Sequence, residues 1–123
     1  MNGEPVIDST VDLDEVRGWA VVTVSGTLDA LSLPEVRVCV DEAIGRSRPL
    51  VLDMSGVTFI GPAGVTLLLD TAARTEDLRV VASRRVLHVL DAVDARAAVA
   101  LHSSVTAATV PGRLRRPPEP RTG

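Results

Sequence analysis

The stretch from Pro49 to Asp70, which reads PLVLDMSGVTFIGPAGVTLLLD, constrains the fold more than any other part of the chain. It begins with a short continuous apolar run, residues 50–52, which is typical of a buried strand. A polar turn then precedes a second apolar pair, residues 59–60. From Val65 onward the apolar residues recur at helical spacing. The stretch therefore predicts a buried strand, a loop and a helix in that order.

The four residues Gly61-Pro62-Ala63-Gly64 mark the start of the predicted helix. Pro62 suits the first helical turn and Gly61 suits the N-cap. A helix that begins directly after such a loop offers free backbone N–H groups and the positive end of its dipole to anions or partner carboxylates. Its two glycines would let another surface approach closely. The alternative interpretation is a simple strand-to-helix turn without a binding role.

Residues 11–25 predict a β-hairpin near one edge of a sheet. Val11 and Leu13 alternate with acidic residues, and Gly18 supplies a turn signal before the second strand. That second strand alternates between two semi-apolar faces, which predicts a sheet covered by helices on one side and semi-polar on the other. Trp19, at the start of the strand, is expected to pack rather than to stack on a ligand.

The remaining elements follow from caps and periodicity. The pattern Ser32-Leu33-Pro34-Glu35 reads as a capping box, and Ser83 precedes a second amphipathic segment. Strands are predicted at residues 78–82 and 99–101. Three helices and a weaker fourth one are predicted at residues 32–45, 62–74, 83–93 and 103–110.

Strands separated by helices predict a single α/β domain. We expect a mostly parallel four- to five-stranded sheet with right-handed crossovers, an antiparallel edge hairpin and three to four helices. The loop before the helix at residue 62 then lies at the carboxyl edge of the sheet, where such folds place binding surfaces. The domain is expected to span residues 10–110, between a flexible N-terminus at 1–9 and a disordered Pro/Arg-rich tail at 111–123.

Length and composition indicate the size of the core and the cellular location of the protein. With 123 residues and 46% hydrophobic content, it can bury one core without disulfides. No apolar run approaches the roughly 18 to 20 residues that span a bilayer, and the N-terminal MNGEPVIDST lacks the regions of a signal peptide. We therefore expect a cytoplasmic protein without membrane insertion.

Charge is distributed unevenly along the chain. Residues 1–112 hold 9 Arg against 15 Asp or Glu, a net charge of −6, whereas residues 113–123 hold 4 Arg and one Glu, a net charge of +3. An acidic domain repels the phosphate backbone, so no nucleic-acid binding by the fold is predicted. For the basic tail, contact of its arginines with an acidic partner or with nucleic acid is the alternative to plain disorder.

Candidate catalytic and metal-binding residues do not form a recognisable set. No phosphate-binding, nucleophile-elbow or Cys-x-x-Cys motif occurs, and aromatic residues make up only 2% of the chain. Asp29 follows a strand but stands without a second catalytic group, so it is assigned to loop hydrogen bonding or partner contact. Cys39 is expected to be a small core residue, and His88 a solvated or core-edge residue rather than a metal ligand. No enzyme activity, cofactor or metal is predicted.

Two segments resemble a known family. The segment Leu52-Asp53-Met54-Ser55-Gly56-Val57-Thr58-Phe59-Ile60, followed after three residues by Gly64, resembles the central signature of STAS domains, the family of bacterial anti-sigma factor antagonists. The upstream Val24-Ser25-Gly26-Thr27-Leu28-Asp29 is similar to the second strand of the family and the Gly-x-Leu-Asp loop after it. The similarity runs from roughly residue 11 to residue 101.

The resemblance implies a recognition surface but not its usual switch. Family members usually carry Asp-Ser-Ser-Gly or Asp-Ser-Thr-Gly where this chain has Gly61-Pro62-Ala63-Gly64, and a partner kinase phosphorylates the second hydroxyl. Ala63 has no hydroxyl. Of the nearby hydroxyl residues Ser55, Thr58 and Thr66, the last is the candidate for a substitute acceptor. No phosphorylation at the usual position is expected.

The function implied by the resemblance is that of a protein-binding regulator. It would dock an anti-sigma factor, usually a histidine-kinase-like ATPase, through the loop and helix start at residues 58–66, and so free a sigma factor. The alternative is a scaffold or ligand-sensing subunit of a signalling or transport assembly, and the half-polar sheet face would permit a weak homodimer. The predicted partner-binding residues are Asp29, Thr58, Ile60, Gly61, Pro62, Ala63, Gly64 and Thr66.

Overall fold

The protein folds around one five-stranded sheet. Its structure, a computed structural model, describes residues 9–46 and 49–110, so the predictions for residues 1–8 and for the tail at 111–123 lie outside the described residues. The strands are β1 (Ser9–Val16), β2 (Trp19–Leu28), β3 (Leu50–Ile60), β4 (Leu78–Ala82) and β5 (Ala100–His102). The helices are α1 (Leu33–Gly45), α2 (Pro62–Arg74), α3 (Arg84–Ala92) and α4 (Val105–Ala108), with a 3₁₀ turn at Arg96–Ala98.

The strand order is sequential, β1-β2-β3-β4-β5. The first pair is antiparallel and the other pairs are parallel, which confirms the predicted α/β class with an antiparallel edge hairpin. The hairpin closes through Arg17 and Gly18, which have φ values of 51° and 84°. Two successive positive φ angles give a turn whose twist matches that of the flanking strands.

The main core lies between the sheet and three helices. Alternate strand residues such as Val22, Leu52 and Val80 are fully buried on the face that α1, α2 and α3 cover. The helices contribute Val36, Val40, Ala43, Leu67, Leu68, Val86 and Leu90 to this cluster. Successive side chains of a strand point to opposite faces, so one face of the sheet accounts for the whole cluster. The predicted helix-covered face is confirmed for α1, α2 and α3, but α4 packs against part of the other face, which was expected to be semi-polar.

The opposite face carries a smaller cluster under α4. Val21, Val51 and Val81 pack there with Ala108, and the half-buried Trp19 packs beside them as predicted. Arg79 extends its guanidinium over the Trp19 ring, 4.3 Å from the ring centre, and its Nη1 donates to the Ala108 carbonyl at 2.7 Å. The helix predicted at residues 103–110 is a single turn, Val105–Ala108. Contacts with the sheet supplement its weak intrinsic propensity.

The prediction of a polar turn after Asp53 is wrong, because β3 continues to Ile60. Pairing with β2 passes from Thr23 opposite Asp53 to Ser25 opposite Gly56, so β3 contains an extra residue there. A second shift leaves Thr58 without a partner residue on β2. Such bulges break the alternation of buried and exposed residues. They explain why two pairs of adjacent exposed residues, at 55–56 and 58–59, resemble a turn in the sequence.

The capping box predicted at Ser32 is also wrong. Ser32 precedes α1, but its side chain does not cap the helix. Its hydroxyl donates to the Thr27 carbonyl at 2.8 Å and accepts from the Asp29 N–H at 3.1 Å. The backbone of Ser32 is already helical, with ψ at −13°, rather than extended as a capping residue normally is. The hydroxyl therefore stabilises the preceding loop.

The other boundaries lie close to the predicted ones. Strand β4 matches at both ends, and α1 ends at Gly45 as expected. Ser83 caps α3 by accepting the Val86 N–H at 3.2 Å. Cys39 lies half-buried against the core cluster, where burial first and nearby acidic groups second raise the pKa of its thiol. None of the helices in residues 9–46 and 49–110 combines the length and apolar character needed to cross a bilayer.

The histidine on β5 should make stability depend on pH. Burial lowers the pKa of His102, the charge of Arg79 lowers it further, and Asp77 opposes the shift. The unfolded chain therefore binds a proton more readily than the folded protein does. The stability contributed by neutral His102 is present above its unfolded pKa of about 6.5 and is lost as the pH falls through the lowered folded pKa.

We predict that His102→Gln reduces the loss of stability on acidification. The fall in melting temperature between about pH 7.5 and about pH 5 should be smaller in this variant than in the wild type. His88→Gln, which removes an exposed imidazole, is the control. Equal falls in the wild type and His102→Gln would contradict the prediction.

Candidate functional site

The parallel strands β2 and β3 end at the same edge of the sheet and bring two loops together. Strand β2 ends at Leu28 and β3 ends at Ile60, and the Gly61 N–H donates to the Leu28 carbonyl at 3.0 Å. Asp29 follows in the first loop, where its Oδ1 accepts the N–H groups of Leu31 at 3.0 Å and Ser32 at 3.3 Å. The Asp29 carboxylate therefore shapes the loop, which is one of the two roles predicted for it.

Helix α2 begins where the sequence predicts. Gly61 is the N-cap, with extended backbone angles, and Pro62 lies in the first turn. The carbonyl of Gly61 accepts the N–H groups of Gly64 at 3.0 Å and Val65 at 3.1 Å. The first turn contains no acidic residue. The helix start is therefore a neutral surface formed largely by backbone and small side chains.

Gly64 allows close packing within the protein, against Leu28 and Ile60, rather than the approach of a separate surface. A Cβ atom placed there would lie 2.7 Å from Cγ1 of Ile60 and 2.9 Å from both Cγ and the backbone oxygen of Leu28. Real Cβ contacts are almost never this short, so only glycine fits without movement. Gly64 thus permits α2 to lie directly against the end of β2. Gly61 is buried as well, next to the Phe59 ring.

The predicted partner-binding residues differ in accessibility. Ile60, Gly61 and Gly64 are buried, so they can position the exposed residues but cannot contact a partner directly. Thr58, Pro62 and Thr66 are exposed, and Asp29 and Ala63 are partly exposed. The structure brings these eight residues to the same edge of the sheet. Their role in binding stays a prediction.

Two exposed apolar side chains at this edge were missed by the sequence analysis. Leu31 is 92% exposed in the loop after β2, and Phe59 is 50% exposed near the end of β3. Exposed apolar side chains that cluster at one place on a surface often mark a site where another protein binds. An apolar residue within a polar loop was the available signal for Leu31. We call the surface formed by Leu31, Phe59, Pro62 and Ala63 the carboxyl-edge patch.

A cavity opens between β3 and α3, and the β3 residue that lines it directly precedes Phe59 of the patch. It has a volume of about 450 Å³ and is lined by Thr58, Arg84, Arg85 and His88, all of which are exposed. Strand β4 pairs with β3 only as far as Met54, so the second half of β3 has no strand on this side among the described residues. The bulge at Thr58 lies in this half. His88 is solvated, as predicted.

Two hydroxyl residues near the start of α2, Ser55 and Thr66, differ in their availability. Ser55 is exposed but its hydroxyl donates to Asp53 Oδ1 at 2.8 Å. Thr66 is exposed on α2, close to Ala63. Among residues 9–46 and 49–110, no group of three or more His, Cys, Asp or Glu side chains is arranged to hold a metal ion.

The sheet topology and the patch at its carboxyl edge define a small mixed α/β domain with its candidate site between the ends of β2 and β3. A family model described as the STAS domain matches residues 10–108. The chain belongs to the STAS domain family. No curated protein sequence matches it.

Two solved structures share this fold. A crystal structure of an anti-sigma factor antagonist from Mycobacterium paratuberculosis is 25% identical, with a TM-score of 0.76, and the match covers 81% of this chain and 90% of that chain. The anti-sigma factor antagonist SpoIIAA in its unphosphorylated form is 16% identical, with a TM-score of 0.60, over 76% and 89% of the two chains. The second likeness bears on the fold alone. Together with the family match, the first supports a STAS domain of the anti-sigma factor antagonist type.

Proposed function

We propose that this protein is an anti-sigma factor antagonist that docks an anti-sigma factor through residues 58–66 without a phosphorylation switch. The observation that carries the proposal is the carboxyl-edge patch, in which the exposed Leu31 and Phe59 accompany a helix start that has alanine rather than a hydroxyl residue at position 63. The likeness to an anti-sigma factor antagonist over most of both chains supports the general role. The protein is then a binding regulator in the cytoplasm rather than an enzyme.

Docking relies on the apolar part of the patch. Transfer of Leu31 and Phe59 from water into an interface contributes roughly 25 cal/mol for each Å² of apolar surface buried. A few residues that become fully buried usually carry most of the binding energy of an interface. The uncharged start of α2 lets a partner approach without desolvating a side-chain charge. The patch therefore favours a protein partner over a small polar ligand.

Ala63 makes the docking constitutive. A phosphate at this position would add about −1.5 to −2 charges, and repulsion and desolvation would oppose docking. Alanine cannot accept a phosphate, so an anti-sigma factor with kinase activity, of the histidine-kinase-like ATPase type, has no substrate group at position 63. Thr66 is the remaining exposed hydroxyl on the first turns of α2.

Placing a permanent charge at this position should mimic the missing switch. We predict that Ala63→Asp weakens binding to an anti-sigma factor of the ATPase type from the source organism by at least roughly tenfold, because a charge must then be desolvated in the interface. Isothermal titration calorimetry measures the affinity, and circular dichroism checks that the fold is retained.

Ala97→Asp is the matched control, since Ala97 is an exposed alanine in the 3₁₀ turn before β5, at the opposite edge of the sheet. It should leave the affinity unchanged. Equal affinities of the wild type and Ala63→Asp would move the interface away from the start of α2. A phosphate detected by intact mass on residues 55–66, after incubation with the ATPase and ATP, would contradict constitutive docking.

A further inference from the structure

The cavity beside the patch concentrates positive charge in an acidic protein. Arg84 and Arg85 form its wall on the first turn of α3, which contains no acidic residue, and His88 follows one turn later. The sequence up to residue 112 carries a net charge of −6. A cationic cavity in such a domain is a local reversal of sign, and Thr58 in its lining directly precedes the patch residue Phe59 in β3.

The arginines of the cavity differ from the others in their pairing. Within the described part of the chain, six arginines have a polar partner on another side chain or on the backbone: Arg17, Arg37, Arg46, Arg74, Arg79 and Arg96. Over the same residues, neither Arg84 nor Arg85 forms a hydrogen bond or ion pair. Their guanidinium groups therefore remain available to an external acceptor.

We propose that this cavity binds carboxylate side chains from an acidic segment of the docked protein. The inference rests on the proposed function, since it assumes that a protein partner occupies the adjacent patch. A guanidinium presents a planar fork of N–H donors that pairs with a carboxylate through two hydrogen bonds. The Thr58 hydroxyl, which also lines the cavity, can donate a further hydrogen bond. A volume of about 450 Å³ accommodates more than one carboxylate side chain.

The acidic segment would set specificity and association rate. The acidic surface of the domain repels negatively charged partners, so an acidic segment has a favourable electrostatic interaction only where it reaches this cavity. Complementary charges speed the encounter and fix the orientation of the complex. The cavity would then determine how the partner is oriented, whereas the patch supplies most of the apolar contact.

The first test uses the full-length ¹⁵N-labelled protein and a short synthetic Glu-rich peptide. The peptide should shift the amide signals of Thr58, Arg84, Arg85 and His88, and added salt should reverse the shifts. A Gln-rich peptide of the same length should leave them unchanged. Inorganic phosphate should act only at much higher concentration. Phosphate that binds more tightly than the peptide would overturn the proposal in favour of a free-anion site, and shifts confined to other residues would also overturn it.

Variants test the two arginines directly. Arg84→Gln combined with Arg85→Gln should weaken peptide binding by about tenfold or more, because each arginine supplies charge-assisted hydrogen bonds. Arg46→Gln combined with Arg96→Gln makes the same change in net charge at two exposed, ion-paired sites. This control pair should leave peptide binding nearly unchanged. Equal loss in both double variants would show a nonspecific charge effect and would overturn the proposal.

Titration of an anti-sigma factor separates this inference from the proposed function. The Arg84 and Arg85 double variant should bind it about tenfold or more weakly, with a shallower salt dependence than the wild type. If Ala63→Asp abolishes binding and the double variant has no effect, the docking proposal stands and the cavity inference fails. If neither variant affects binding, the interface lies elsewhere and both fail.

Discussion

Leu31→Asp is expected to lower the affinity for an anti-sigma factor by roughly thirtyfold or more. The substitution removes an apolar anchor, worth about 1.5 to 3 kcal/mol when fully buried, and forces desolvation of a new carboxylate. Because Leu31 is 92% exposed, the free energy of unfolding should change by less than about 0.5 kcal/mol. Calorimetric titration and thermal unfolding measure the two quantities separately.

Val38→Asp is the matched control. Val38 is 65% exposed on α1, outside the carboxyl-edge patch, so the same change of chemistry should leave binding intact. Phe59→Ala should weaken binding in the same direction as Leu31→Asp. If Leu31→Asp and Val38→Asp bind as tightly as the wild type, the patch is not the interface.

The largest effect on stability is expected from Gly64→Ala. The new methyl group would meet the backbone oxygen of Leu28 at 2.9 Å, and this oxygen is held because it accepts the Gly61 N–H. Overpacking of this kind costs about 1 to 3 kcal/mol, which exceeds the gain in helix propensity of up to about 1 kcal/mol. The melting temperature should therefore fall by several degrees, and α2 should shift away from β2.

Gly45→Ala tests the same substitution without the clash. Gly45 is the last residue of α1, and a Cβ atom there would meet no atom within 4 Å. This variant should be as stable as the wild type or more stable by up to about 1 kcal/mol. If Gly64→Ala unfolds at the same temperature as Gly45→Ala, the contact between α2 and β2 is looser than the distances indicate.

Local chemistry was sufficient to predict most element boundaries. Pro62 and Ser83 mark helix starts because ring geometry and hydroxyl capping act over a few neighbouring residues. The extension of β3 to Ile60 was not predictable in the same way, since its two bulges remove the period-two pattern by which strands are recognised. Tertiary pairing with β2 overrides the local polar signal.

In the candidate site, too, local features could be predicted from the sequence and tertiary ones could not. Gly61 to Gly64 could be identified as a helix start from sequence, but the side on which Gly64 makes its close contact depends on where Leu28 lies. The cavity brings Thr58 next to Arg84 and Arg85, which are more than twenty positions away in the chain. Proximity of this kind arises because β4 pairs with β3 and α3 begins directly after β4, and it has no local signature in the sequence.

The position of Trp19 separates two optical signals. It is the only tryptophan of the chain, and it lies at the first residue of β2, beneath Arg79 and far along the strand from the carboxyl end. Indole emission should therefore report the entry of solvent beneath α4 and should not respond to binding at Leu31 and Phe59. A fluorescent label near the patch would report complex formation, and tryptophan emission would report the detachment of α4 from the sheet. The two events could then be followed separately in a single sample.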